Sequence, residues 1–148
     1  MSGSVSLPSL GTLNRALTHV TFASFPQLNI GAQNMGKNFA RLTFEGDFAG
    51  QAEVAVGVVP SPEPYVMGSL SVGVLRTQAL GAAWLTQIQA TAVLGTMTAY
   101  PDSVAFPSIT LSTTVVKSFD PDAFDGTDPV IKMVLRGVFY PNANMWTA

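Results

Sequence analysis

The chain has 148 residues, enough for one domain and too few for two ordinary ones, so a single core is expected. Apolar residues make up 47%, but charged residues only 11%, against roughly 25% in a typical soluble protein. A net charge of −2 with only seven dispersed Lys and Arg argues against a tight nucleic-acid reader, and the absence of cysteine removes disulfides, thiolate nucleophiles and cysteine-type zinc sites.

A free monomer is normally kept soluble by a charged shell, so the shortage of charge points to a surface covered by copies of the chain or by a partner. The competing reading is a monomer with a surface of Ser, Thr, Asn, Gln and Gly. The start, Met1-Ser2-Gly3-Ser4-Val5, lacks the basic and apolar stretches of a signal peptide, which predicts synthesis in a cytoplasm. The longest apolar run, residues 79–85, falls well short of the ~20 residues that span a bilayer.

In chain order, residues 1–15 are rich in Ser, Gly and Pro and read as a flexible N-terminal arm, with one domain over residues 16–148. Residues 17–25 are largely β-branched or aromatic and predict a strand that stops at Pro26. Over residues 39–48, Ala40, Leu42 and Phe44 alternate with Arg41, Thr43 and Glu45, the period-two pattern of a half-buried strand. A strand over 51–59 and another over 65–75 flank Pro60, Ser61, Pro62, Glu63 and Pro64, which predicts a long hairpin with a stiff proline tip. Such a tip loses little entropy on docking and is the candidate ring-stacking contact; a plain surface turn is the alternative.

Residues 77–90 change period. Leu80, Trp84 and Ile88 recur at i, i+4 and i+8 with Leu85 beside them, so these four form the predicted core stripe of one helix, with Thr77 as its cap and Gly95 beyond its end. Three more strands are predicted over 92–100, 108–119 and 130–140. In the last, Ile131, Met133, Leu135 and Phe139 share one face, and Lys132 and Arg136 share the other with Val134 and Val138, an amphipathic face suited to an interface or a lining. The predicted fold is therefore mainly β: an antiparallel two-sheet sandwich or partly closed barrel with one helix on its flank.

Chemistry-bearing motifs fail on inspection. Gly31 to Asn38 has phosphate-loop spacing, but Asn38 replaces the Ser or Thr that holds magnesium, and a strand pattern follows where a helix is required. Ser71 lies between Ser69 and Gly73, which does not meet the nucleophile-elbow pattern. His19 is alone in a strand pattern with no carboxylate nearby. Asp120, Asp122, Asp125 and Asp128 lack the glycine and glutamate of a calcium loop and, between Pro121 and Pro129, read as a solvated turn. No catalytic residue, metal site or cofactor is assigned, and an enzyme is not expected.

Four segments, Phe44-Glu45-Gly46, Leu75-Arg76-Thr77-Gln78-Ala79-Leu80, Gly126-Thr127-Asp128-Pro129 and Arg136-Gly137-Val138-Phe139-Tyr140-Pro141-Asn142, resemble tail tube proteins of contractile-tailed bacteriophages. The likeness runs over about residues 20–146, including the terminal Trp146, and rests on the order of the segments. It implies hexameric rings stacked into a tube whose inner wall is a continuous β-barrel, through which DNA passes without specific binding. It also implies sheath, baseplate and tail terminator proteins as partners, residence in the virion tail, and synthesis in the host bacterial cytoplasm. A head-to-tail ring pairs strand edges that a monomer leaves open. Other ring-forming virion proteins, namely a tail terminator, baseplate or decoration protein, fit the same composition. A carbohydrate-binding or hydrolytic β-sandwich would need an aromatic platform or a carboxylate pair, and neither is visible.

Overall fold

The computed structural model describes residues 10–121 and 124–146. It is mainly β. Eight strands, β1 (His19–Phe22), β2 (Met35–Glu45), β3 (Ala49–Val54), β4 (Gly57–Pro62), β5 (Val66–Leu75), β6 (Val93–Tyr100), β7 (Ile109–Asp120) and β8 (Val130–Phe139), are joined by the helix α1 (Ala79–Ala90) between β5 and β6, with a short α2 (Ala143–Trp146) after β8. The strands pair as one six-stranded antiparallel sheet in the order β1-β6-β7-β8-β5-β2, and as a separate two-stranded ribbon, β3-β4. Of the expected sandwich or partly closed barrel, the mainly β content and the curled antiparallel sheet are present, beside a small ribbon.

Alternation sets the faces. In β5, Val66, Leu70, Val72 and Val74 are buried while Ser69 and Ser71 face outward; in β8, Ile131, Met133 and Leu135 are buried and Lys132 is exposed. Because β5 and β8 pair in continuous register from Val66↔Phe139 to Leu75↔Val130, their apolar sets fall on the same side.

Register shifts at β2, between Met35 and Ala40, and at β6 and β7 accompany the curl of this sheet. β6 shifts register around Gly95, whose φ of +80° only glycine adopts without strain, and β7 shifts between Ser112 and Val115 at Thr113, with φ 52°. A β-branched residue in that region is costly, and the buried Thr114 hydroxyl spans the bulge by donating to the Leu111 carbonyl at 3.2 Å. Gly95 therefore lies inside β6, beyond the end of the helix as expected.

The concave side holds the core, formed by Phe22, Leu70, Leu94, Leu111 and Leu135 around Trp84 of α1. The Trp84 ring meets Phe22 edge-on at 5.1 Å. Gly81, one turn earlier, lets the helix approach the sheet: a methyl there would stand 3.1 Å from Ile131 Cδ1 and 3.2 Å from the Leu75 carbonyl. Of the four predicted stripe residues, Trp84 is buried, Leu80 packs half-buried against the core, Ile88 is half-buried, and Leu85 is 48% exposed. At 3.6 residues per turn Leu85 sits about 100° round from Trp84, while Gly81 takes the inward place beside it.

The helix begins two residues later than predicted. Gln78, not Thr77, is its N-cap, and the Gln78 side chain is used elsewhere, accepting from Asn34 Nδ2 at 2.6 Å and donating to the Gln33 carbonyl at 2.9 Å. Among the described residues, no helix is long and apolar enough to cross a membrane.

Candidate assembly interface

The proline segment is not a tip. Pro60 and Pro62 lie within β4, opposite Gln51 and Ala49 of β3, and Glu63 donates its amide to the Phe48 carbonyl at the ribbon's base. In a two-stranded ribbon each strand has a free edge, so residues two apart can do without an N–H on that side. The real tip is the turn at Ala55–Val56, between Val54 and Gly57. The expected hairpin of 51–59 with 65–75 is accordingly two different pairings, β3 with β4 and β5 with β2 and β8.

What the ribbon presents is apolar. Val54, Val58 and Val59 are about half exposed, and Val56 at the tip is 98% exposed. Glu53 and Gln51 are the polar residues of its distal half. A lone two-stranded hairpin is marginal in water. Its base is anchored: Asn142, at φ 57°, donates through Nδ2 to the Phe48 and Glu63 carbonyls at 2.8 and 3.1 Å, and Phe48 packs against Phe44 and Phe139 at 5.3 and 6.1 Å.

Two further surfaces lie unpartnered among the described residues. β2 is an edge strand of 11 residues, paired with β5 on one side only. On the concave side, where the curled sheet stays open between β2 and the 101–107 loop, a largely apolar groove of about 510 Å³ is lined by Leu42, Phe44, Leu70, Phe106 and Ile109, with Arg15, Arg41 and Asp102 also on its walls.

The convex side of the sheet is polar. Cross-strand neighbours on it run Thr43, Ser69, Arg136, Val115 in one row and Arg41, Ser71, Val134, Ser118 in the next. Glu45 joins this face by accepting from Ser69 Oγ at 2.9 Å and pairing with Arg136 at 2.7 Å. These hydrogen bonds, Ser69 foremost, and the nearby charges of Arg136 and Lys117 hold the Glu45 carboxyl below its ordinary range.

The remaining motifs have local structural roles. Asn34 Oδ1 accepts from the Gly31 amide, and β2 follows directly, so the phosphate-like spacing opens a strand. His19 stacks on Tyr100 at 4.1 Å, and its Nδ1 lies 2.7 Å from the Leu17 carbonyl. Ser69 and Ser71 belong to β5. Asp125 accepts from the amide and hydroxyl of Thr127, which holds its carboxyl below the usual range, and Asp128 accepts from the Val130 amide; Asp122 lies outside the described residues. Of the predicted arm, residues 1–9 also lie outside them. Leu10 and Leu13 are exposed, and the Asn14 amide donates to the Asp102 carbonyl.

The pairing thus defines a mainly β protein built on one curled antiparallel sheet with a projecting apolar ribbon. Neither a scan against protein-family models nor a search of curated proteins finds a match.

Proposed function

We propose that this chain is a structural subunit that joins copies of itself head to tail, the tail tube protein of a bacteriophage. The observation that carries the reading is the β3-β4 ribbon, whose valines are exposed although the chain has few charges to keep such a surface apart from its neighbours. Covering each exposed valine is worth roughly 1 kcal/mol or more. An apolar ribbon and an apolar groove at different places on one molecule make a heterologous contact, which repeats into rings or filaments.

On this reading the ribbon tip of one copy enters the groove of the next, and the free edge of β2 extends the curled sheet into a neighbour, closing a barrel between subunits. Six copies per ring, a lumen that passes DNA, contacts to sheath, baseplate and terminator proteins, and residence in the virion follow from the tail-tube resemblance. The role is structural, with no catalytic residue and no cofactor. Negative-stain electron microscopy across a concentration series, with light scattering on the same samples, tests this. Long hollow tubes with a regular axial repeat are expected. Single rings at every concentration would favour a terminator, baseplate or decoration protein, and a stable monomer would overturn self-assembly.

A further inference from the structure

Although the seven Lys and Arg are scattered in sequence, five of them, Lys37, Arg41, Lys117, Lys132 and Arg136, lie on the three long strands β2, β7 and β8. Register puts Arg41 and Arg136 on the convex face beside Ser71 and Ser69, with Lys132 opposite Gly73 and Asp120. Lys117 acts electrostatically on Glu45 of the same face. With Glu45, Asp120 and Asp128 counted, five cations and three carboxylates give this face a formal charge of +2, in a chain whose total is −2.

Three of these cations surround one depression. Lys37, Arg41 and Lys132 line an open groove of about 590 Å³ with Ser71, Gly73 and Val130. Gly36 and Gly73 make room there for Val130: a methyl at either would stand 2.7 or 2.6 Å from a Val130 methyl. One carboxylate residue lines the groove, Asp128, and its Oδ1 already accepts from the Val130 amide.

We propose that this convex groove binds the phosphodiester backbone of nucleic acid, without reading its sequence, through Lys37, Arg41 and Lys132. The spacing favours a polyanion over a single small anion. β2 and β8 are separated by β5, so their cations stand about 10 Å apart, with Lys37 in the irregular stretch of β2 between Met35 and Ala40. That span matches about three phosphates at 3.4 Å of axis per nucleotide on one strand. The groove's rim has one hydroxyl, Ser71, and three cations but no large apolar side chain to enter a bilayer, which separates it from a lipid-binding patch. The groove borders the β2 edge, and Arg41 also lines the assembly groove, so assembly needs to be followed separately, and the proposal rests on the tube reading for the source of the DNA.

The test is fluorescence anisotropy of a labelled 30-base-pair duplex of mixed sequence with the full chain, from 50 to 200 mM NaCl. Three phosphate contacts predict a log–log salt slope of about −2.7, a loss of affinity of about 40-fold over that range. The triple variant Lys37→Gln, Arg41→Gln, Lys132→Gln should bind with a slope shallower than about −1. Ser71→Glu, which places a carboxylate in the groove while keeping all three cations, should also weaken binding. Circular dichroism and the tube assay are run on every variant, so that loss of DNA binding with assembly intact reports on this groove alone. No salt-dependent binding by the natural chain, a triple variant that binds like it, or binding to anionic vesicles in place of DNA would overturn the proposal.

Discussion

Replacing Trp84 by alanine removes the side chain at the centre of the helix–sheet contact. Trp84 is fully buried, and it touches Phe22 edge-on at 5.1 Å. A buried aromatic of about 200 Å² is worth about 5 kcal/mol at 25 cal/mol per Å², and the ring pair adds about 1 kcal/mol. Against this, Trp84 Nε1 is buried without a hydrogen-bond partner among the described residues, which offsets about 1–3 kcal/mol. The net loss expected for Trp84→Ala is about 3–5 kcal/mol, in line with large-to-small core changes. Trp84→Phe, which deletes the unpaired N–H together with part of the ring, should cost only about 1 kcal/mol. Leu85→Ala, one residue along but 48% exposed, should cost less than about 1 kcal/mol. Urea denaturation followed by circular dichroism measures all three. Equal losses at Trp84 and Leu85, or a Trp84→Ala loss below about 1.5 kcal/mol, would refute the assignment of the helix face.

Arg76 donates to the Pro121 carbonyl at 2.6 Å and to the Asp128 carbonyl, and its guanidinium lies 5.0 Å from the Phe124 ring centre, so it ties together the two ends of the segment before β8. Arg76→Ala should destabilise by about 2–3 kcal/mol and open residues 121–129 to limited proteolysis, and Arg76→Lys should not restore protection because it lacks the planar fork. Glu45 has a depressed pKa in the folded chain, so the stability it adds is present above its ordinary value of 4.5 and is lost as pH falls through the lower folded value. NMR titration should place its midpoint below 4.5, and Ser69→Ala should raise that midpoint, since the Ser69 hydrogen bond is the largest cause.

Where burial alternates, the strands were legible in the sequence. Ile131, Met133 and Leu135 face the core and Lys132 faces out, as the period of two in β8 predicts, and the helix stripe at Leu80, Trp84 and Ile88 follows from its period of 3.6. Leu85 was misplaced because hydrophobicity alone cannot show that Gly81 would take the inward position. The proline segment misled for a different reason: prolines break a central strand, but Pro60 and Pro62 occupy a ribbon strand with a free edge. The true turn at Ala55–Val56 has no Asn-Gly or Asp-Gly signal and reads as continuous strand.

The convex basic face was the least legible feature. Lys37, Arg41, Lys117, Lys132 and Arg136 span a hundred residues of sequence, and only the order β7-β8-β5-β2 brings them onto one surface. Where the sheet curls was hidden as well, because the register shifts at Gly95 and Thr113 are not signalled, and a threonine with positive φ leaves no trace in composition.

The most direct test of head-to-tail assembly uses the absence of native cysteine. Val56→Cys at the ribbon tip and Phe106→Cys at the groove rim, both exposed, are combined in one chain and treated with a mild oxidant or a short bis-maleimide. The account predicts a ladder of covalent oligomers that lengthens with protein concentration, with each single variant stopping at dimers. A double variant that yields only monomers and dimers at every concentration would contradict the ribbon-in-groove contact.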